Sequence, residues 1–311
     1  MSTIVGIAGI TGKFARCIVG ELLKQQHVFI RGFCRDPAKL PDSIKTSPRV
    51  HITQGGSDDM KALRSFARSC SVVICCYLGD NKLMTDGQKI LIDACELEGV
   101  QRYIASDYTV DFTKLQYGQL PSKDPMILVK EYLESKDVAG VHVLIGAFMD
   151  TFWYHWFGIW DPAQYTLSYW GTGTEVWEST SYANAAEFVS AVALDETAVG
   201  LQKFLGDRKS IVEIADTFES VYGKRPGLNR LGSSEDLYKL MHQKMAEDPA
   251  NVLSYLNLFY QYYCTNGQTY LDIDMENQRY PHVKRVTFED FMRSHSVDEL
   301  STAMEKVGMG I

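Results

Sequence analysis

The chain has 311 residues, 45% apolar and 23% charged, with 31 basic against 39 acidic side chains and a net charge of −8. That length holds one large α/β domain plus a smaller lobe, and charged and apolar fractions this ordinary exclude long disorder. A net negative balance with scattered basic residues argues against a nucleic-acid partner gripped through phosphates, and no apolar run reaches the roughly 20 residues of a membrane span.

Residues 4–8 form a short apolar run that reads as a buried parallel strand, and Phe14, Ile18, Leu22 and Leu23 then recur at helical spacing. Between them Gly6, Gly9 and Gly12 stand three apart. Strand, glycine turn and helix together make a dinucleotide-binding fingerprint of the GxxGxxG kind. Glycine lets the backbone approach a pyrophosphate, whose charge then sits on the free amides at the helix start. On this reading Thr11, Lys13 and Phe14 lie at the cofactor beside the three glycines. A phosphate loop of the GxxxxGK[ST] kind is excluded by the spacing, and Phe14 stands where a metal-binding hydroxyl is needed.

Residues 28–34 make the second strand, and Arg35-Asp36-Pro37-Ala38-Lys39 follow it. The end of this strand meets the adenine ribose, where an arginine accommodates a 2′-phosphate. Arg35, with Lys39, therefore selects NADP(H) over NAD(H), while Asp36 is expected to open the turn into Pro37. Strands at 50–54, 71–77 and 102–106 alternate with helices at 58–68 and 86–98, the last closed by Gly99. This alternation predicts an α/β fold with a doubly wound parallel sheet. Ligands on such sheets bind at the carboxyl ends of the strands, which places Tyr77, Ser106 and Tyr108 beside the cofactor.

A loop over 109–125, a helix over 126–136 and a sixth strand over 141–145 come next. The aromatic run from Phe148 to Phe157 lies just past that strand. Phe148, Phe152, Trp153 and His155 are its candidates for an apolar substrate pocket, with core packing as the competing reading. Residues 165–170 and 175–177 bracket Gly171-Thr172-Gly173 as a hairpin. Helices are expected at 183–194, 212–221, 234–247 (capped by Ser233 or Ser234), 252–264 and 288–294, and a strand at 202–205. The division follows: a nucleotide-binding domain over 1–150, and a smaller, mostly helical substrate lobe over 151–311 that returns some segments to the sheet. The seven cysteines form no CxxC pair, and no His, Cys and carboxylate cluster has metal-ligand spacing. No signal peptide precedes the first strand, so a reducing, cytoplasmic location is expected.

Gly6-Ile-Ala-Gly9-Ile-Thr-Gly12, Arg35 to Lys39, Arg102-Tyr-Ile-Ala-Ser106-Asp107-Tyr108, Gly171-Thr-Gly173, Ala193-Leu-Asp195 with Val199-Gly200, and above all Asn277-Gln-Arg-Tyr280-Pro281 with Thr287-Phe288 and Phe291 carry a resemblance over the whole length. The chain resembles the NmrA-like, isoflavone-reductase-like family of atypical short-chain dehydrogenases, its fungal branch most of all. The resemblance implies a Rossmann domain binding NADPH or NADP, and NADPH-dependent reduction of a small, apolar, aromatic substrate of secondary-metabolite type. It leaves room for an NADP(H)-sensing regulator acting on a protein partner without turnover, and for a non-redox cyclase or isomerase. The family's reductases use a lysine near the start of the helix after the fifth strand, and that position falls on Met126. Lys130, one turn later on the same face, and Tyr108 are the candidate catalytic groups in its place, with Lys123 shortly before; both lysine positions also suit surface residues. Tyr132 and Lys136 have Tyr-x-x-x-Lys spacing but lie too late in the helix to reach a cofactor.

Overall fold

A computed structural model describes residues 2–271 and 275–308. Strands β1 (Thr3–Ala8), β2 (Val28–Cys34), β3 (Val50–Gln54), β4 (Val72–Cys75), β5 (Arg102–Ile104) and β6 (Ala139–Leu144) are all parallel, in the order 3-2-1-4-5-6. The first five are linked by α1 (Lys13–Leu23), α2 (Asp42–Lys45), α3 (Met60–Ala67) and α4 (Gln88–Leu97), and α5 (Asp124–Leu133) leads into β6. The four residues of β4, Val-Val-Ile-Cys, are all buried, as a sheet covered on both faces demands. Asp59 caps α3 by accepting from Ala62 N–H, and Gly99 closes α4 with φ +71°.

Past β6 come β7 (Ala147–Phe148), α6 (Met149–Phe152), β8 (Trp160–Asp161), β9 (Thr166–Trp170), β10 (Val176–Thr180) and α7 (Tyr182–Leu194). After them follow β11 (Gly200–Lys203), β12 (Asp207–Ser210), α8 (Ile211–Tyr222), β13 (Gly227–Gly232) and α9 (Ser234–Glu247). The chain ends through α10 (Leu256–Thr265), α11 (Phe288–Arg293), α12 (Val297–Leu300) and α13 (Ala303–Lys306). Two of these elements sit on the first body: β11 pairs in parallel with β6 as a seventh strand, and α7 lies against α1. Arg102, buried in β5, fixes that attachment by donating to the carbonyls of Val192 and Ala193 at the end of α7.

The expected hairpin around Gly171-Thr172-Gly173 is not formed. Strand β9 pairs with β8 and β13, whereas β10 pairs with β7 and β12, so the two lie in different three-stranded sheets. The turn itself explains the separation. Gly171 and Gly173 have φ +88° and +87°, and the Glu175 carboxylate folds back to accept from the Thr172 and Gly173 amides. That closed turn sends the chain to a new sheet, while Gly171 N–H is taken by Gly232 O at the end of β13. Among the described residues no helix is long and apolar enough to cross a membrane.

Candidate active site

Strand β1 continues through Ala8, so Gly6 lies inside it, paired with Arg31 and Val73 rather than in a loop. A Cβ at Gly6 would stand 2.9 Å from Val73 Cγ2 and 3.1 Å from the Phe66 ring, which makes Gly6 a packing residue beneath α3. The fingerprint is shifted by one triplet: Gly9, Gly12 and the fully buried Ala15 are its small residues. Gly9 turns the chain with φ +77°, and the amides of Gly9 and Ile10 both donate to Phe33 O at the end of β2. Gly12 N–H donates to Gly9 O at 2.9 Å and Gly12 is the N-cap of α1. That helix has no side-chain cap and no acidic residue in its first turn. Its first amides thus lack an intrahelical partner and meet no competing carboxylate, which is the donor set a pyrophosphate requires.

Cations gather around this turn. Among the described residues, Lys13, Arg16, Arg35 and Lys39 have no ion-pair partner. Arg16 Nε is buried without a hydrogen bond, and Lys13 Nζ donates to Met304 O at 3.0 Å, tying the start of α1 to the C-terminal segment. Arg35 and Lys39 are exposed. Asp36 accepts from Ala38 N–H at 3.0 Å and caps the turn Pro37–Lys39, leaving Arg35 as the free charge at the end of β2. Tyr77 packs its ring over Gly9 (Cδ1 3.3 Å from where a Cβ would lie), and Ser106 Oγ donates to Tyr77 O at 2.7 Å. Gly9, Gly12, Tyr77 and Ser106 thus converge at the carboxyl edge of the sheet, and these residues suit a phosphorylated dinucleotide.

An aromatic row runs outward from the loop. Phe14 meets Tyr108, Phe148 and Tyr182 edge-on, at centroid distances of 4.7, 5.4 and 5.7 Å. Phe148 and Tyr182 stack in parallel at 3.8 Å. Asp150, next to them, accepts from Tyr182 N–H at 2.8 Å, and burial pushes its carboxyl up to about 6. Burial, with the Asp150 charge adding to it, pushes the Tyr182 phenol up to about 12. Tyr260 of α10 meets the start of α5. There Lys123 is only 5% exposed, its Nζ 5.0 Å from the Tyr260 ring centroid, and Ser122 Oγ donates to Tyr260 Oη at 3.1 Å.

Several expected site residues fall elsewhere. Tyr108 has φ +43°, its hydroxyl donates to Cys75 O at 3.0 Å, and burial holds the phenol un-ionised, so it packs beneath the site. Lys130 is ion-paired with Glu134 one turn along α5, on the solvent side. Lys123 is the lysine the fold buries at the strand ends. Phe152 and Trp153 are enclosed in the lobe core against Trp177, Phe288 and Phe218, because α6 turns them away from Phe148. His155 is exposed, its ring resting on Tyr154. Tyr132 and Lys136 both bind Asp93 on the surface. A cavity of about 20 Å³ between Trp170, Trp177 and Gln261 in the lobe has room for about one water and excludes a substrate.

Lys123, Tyr182 and Tyr260 are the residues that sequence patterns undervalue. Lys123 carries the signal of a helix start, in Pro-Ser-Lys-Asp-Pro, and Tyr182 follows the N-cap Ser181. Nothing local marks Tyr260 among the tyrosines of its helix.

A family model described as NAD(P)H-binding matches residues 9–143. No curated protein matches the chain significantly in sequence. Solved structures match it over nearly its full length. Isoflavone reductase is 17% identical with a TM-score of 0.79, covering 94% of this chain and 99% of its own. Leucoanthocyanidin reductase from Vitis vinifera, solved with NADPH, is 17% identical with a TM-score of 0.77, covering 93% and 97%. An NADPH-dependent quinone oxidoreductase from Escherichia coli is 16% identical with a TM-score of 0.70, covering 92% and 98%. The first part of the chain thus matches an NAD(P)H-binding family model and takes the Rossmann fold. As a whole, the chain takes the fold of isoflavone reductase and leucoanthocyanidin reductase.

Proposed function

We propose that the protein is an NADPH-dependent reductase of a small, apolar, aromatic carbonyl compound or enone. The observation that carries this reading is the uncapped start of α1 behind Gly9 and Gly12, with the unpaired Arg35 at the neighbouring strand end. Amides and dipole receive the pyrophosphate, and Arg35 with Lys39 receives the 2′-phosphate. Bound there, the reduced nicotinamide supplies a hydride, the part of the chemistry a side chain cannot provide. The chain's own work is to hold the dinucleotide, line the crevice with Phe14, Phe148 and Tyr182, and place the Lys123 ammonium where negative charge develops on the substrate oxygen. NADPH-dependent activity of the leucoanthocyanidin and quinone-reducing structures' kind fits this site.

Met126 favours a second role, NADP(H) sensing without turnover and with a protein partner, because a methionine exchanges no proton. Its side chain is buried against Phe112, Leu120 and Leu144, and Lys123 supplies a cation one turn earlier, so reduction accounts for more of the site. Fluorescence titration with NADPH and NADH tests the cofactor step. NADPH is expected to bind at least tenfold more tightly, and no binding at millimolar NADPH would overturn the reading.

A further inference from the structure

We propose that Tyr260, held by Ser122 and lying under the ammonium of Lys123, is the proton donor of the reductive step; this rests on the reductase reading above. The three side chains come from different parts of the fold. Helix α5 runs back against the parallel strands from β5 to β6, so its start, with Ser122 and Lys123, lies at the carboxyl edge where a sheet of this kind receives its ligand. Tyr260 reaches that edge from α10 of the lobe, flanked by the rings of Trp156 and Phe157. Tyr182 stacks on Phe148 in the aromatic row that starts at Phe14, while Tyr260 stands with Ser122 and Lys123 at the start of α5.

The surroundings of Lys123 support the assignment. A buried ammonium is costly unless its charge is answered, and among the described residues no carboxylate pairs with Lys123. The face of the Tyr260 ring answers it at 5.0 Å. Tyr260 is thus held from two sides, the ammonium over its ring and Ser122 on its hydroxyl. Two other buried phenols of the sheet are occupied: Tyr108 donates to Cys75 O and Tyr103 to Gln88 Oε1. The partner of Tyr260 is another hydroxyl, Ser122, which both gives and accepts and so relays a replacement proton from water.

The step balances. The carbonyl carbon gains the hydride given up by the reduced nicotinamide, the π pair passes to oxygen, and oxygen takes the proton as the Oη–H bond of Tyr260 breaks. Ser122 and Lys123 hold the phenolate until water returns a proton through the Ser122 hydroxyl. The sum is carbonyl, NADPH and a proton giving alcohol and NADP.

The test uses the full chain with NADPH and phenanthrenequinone as probe, in wild type, Tyr260→Phe, Lys123→Met and Ser122→Ala. Tyr260→Phe keeps the ring and is expected to lower kcat about 10²-fold or more, the usual weight of a positioned acid, with KM and the NADPH dissociation constant within twofold. Independently of turnover, tyrosines labelled with ¹³C at Cζ give a Tyr260 resonance, assigned by its loss in Tyr260→Phe. It is expected to move in both Lys123→Met and Ser122→Ala. A resonance that ignores both changes overturns the proposal, as does Tyr260→Phe turnover within threefold of wild type. Wild type that binds no NADPH, or binds it without reducing the probe, overturns the reductase reading and the proposal together. Wild-type turnover that survives Tyr260→Phe overturns the proposal alone.

Discussion

Replacing Gly9 by alanine separates two contributions of the phosphate turn. At φ +77° an L-residue is strained by roughly 1–2 kcal/mol. The new Cβ would also stand 2.8 Å from Cys76 O and 3.0 Å from its carbonyl carbon. Cys76 cannot yield easily, because its N–H is bonded to Ala8 O at 2.8 Å. The loop must move instead, carrying the Gly12 amide bonded to Gly9 O and with it the first turn of α1. Overpacking of this kind adds about 1–3 kcal/mol. Gly118 is the control: its φ is +84°, but a Cβ there meets nothing within 4 Å. Gly118→Ala should therefore lower stability in urea by only roughly 1–2 kcal/mol and leave NADPH binding unchanged. Gly9→Ala should lose at least about 1 kcal/mol more and weaken NADPH, followed by its fluorescence, tenfold or more. Wild-type affinity in Gly9→Ala would refute the assignment of this turn to the pyrophosphate.

Arg35→Ala should weaken NADPH by about 10- to 100-fold, the worth of a hydrogen-bonded charge, and leave NADH unchanged in the same titration. Arg102→Leu orphans the buried carbonyls of Val192 and Ala193 and should cost about 2–4 kcal/mol in urea unfolding. Asp150 is raised by burial from 3.8 to about 6, facing Cys17, Tyr182 and His295. The unfolded chain ionises first, so its contribution is fully present below about pH 4 and is lost as pH rises through 6, by about 3 kcal/mol. Asp150→Asn keeps an acceptor for Tyr182 N–H and should gain on wild type by that amount between pH 4 and pH 7, checked by urea unfolding at both; a constant difference would contradict it. Moving the lysine back, Lys123→Met with Met126→Lys, should not restore turnover of phenanthrenequinone lost in Lys123→Met alone.

How much of this was legible depended on how local each pattern is. Strand, glycine turn and helix at the start of the chain are set by neighbouring residues, and Asp36 before Pro37 announced its own turn. The register of the glycines was not legible, because Gly6 satisfies the same spacing while serving Phe66 and Val73 from inside β1. The strand through Ala8 was legible; that Gly6 packs within it under Phe66 is shown by its neighbours across the sheet. Gly171-Thr172-Gly173 likewise looks like a hairpin turn until Glu175 is seen to close it. Within the aromatic run, Phe148 faces the cofactor edge and Phe152 and Trp153 face the lobe core, a difference set by the short helix α6 and invisible to periodicity.

Met126 and Lys123 show why the reaction is harder to read than the cofactor. A residue three positions earlier on a helix lies about 4.5 Å nearer its start. Position 126 faces Phe112, Leu120 and Leu144, so a lysine there would bury its charge in an apolar core, and methionine fills the space instead. Position 123 lies at the end of the helix, where the lobe's α10 brings Tyr260 against it. Lys123 thus stands at the seam between the nucleotide-binding body and the lobe. Phosphate binding needs only backbone amides and a nearby charge, which one short segment provides. Proton delivery needs a hydroxyl beside the substrate, and the phenol that meets Lys123 and Ser122 comes from a helix of the lobe. On the proposed mechanism a substrate touches both parts, and the lobe would take part in the reaction as well as in selecting the substrate.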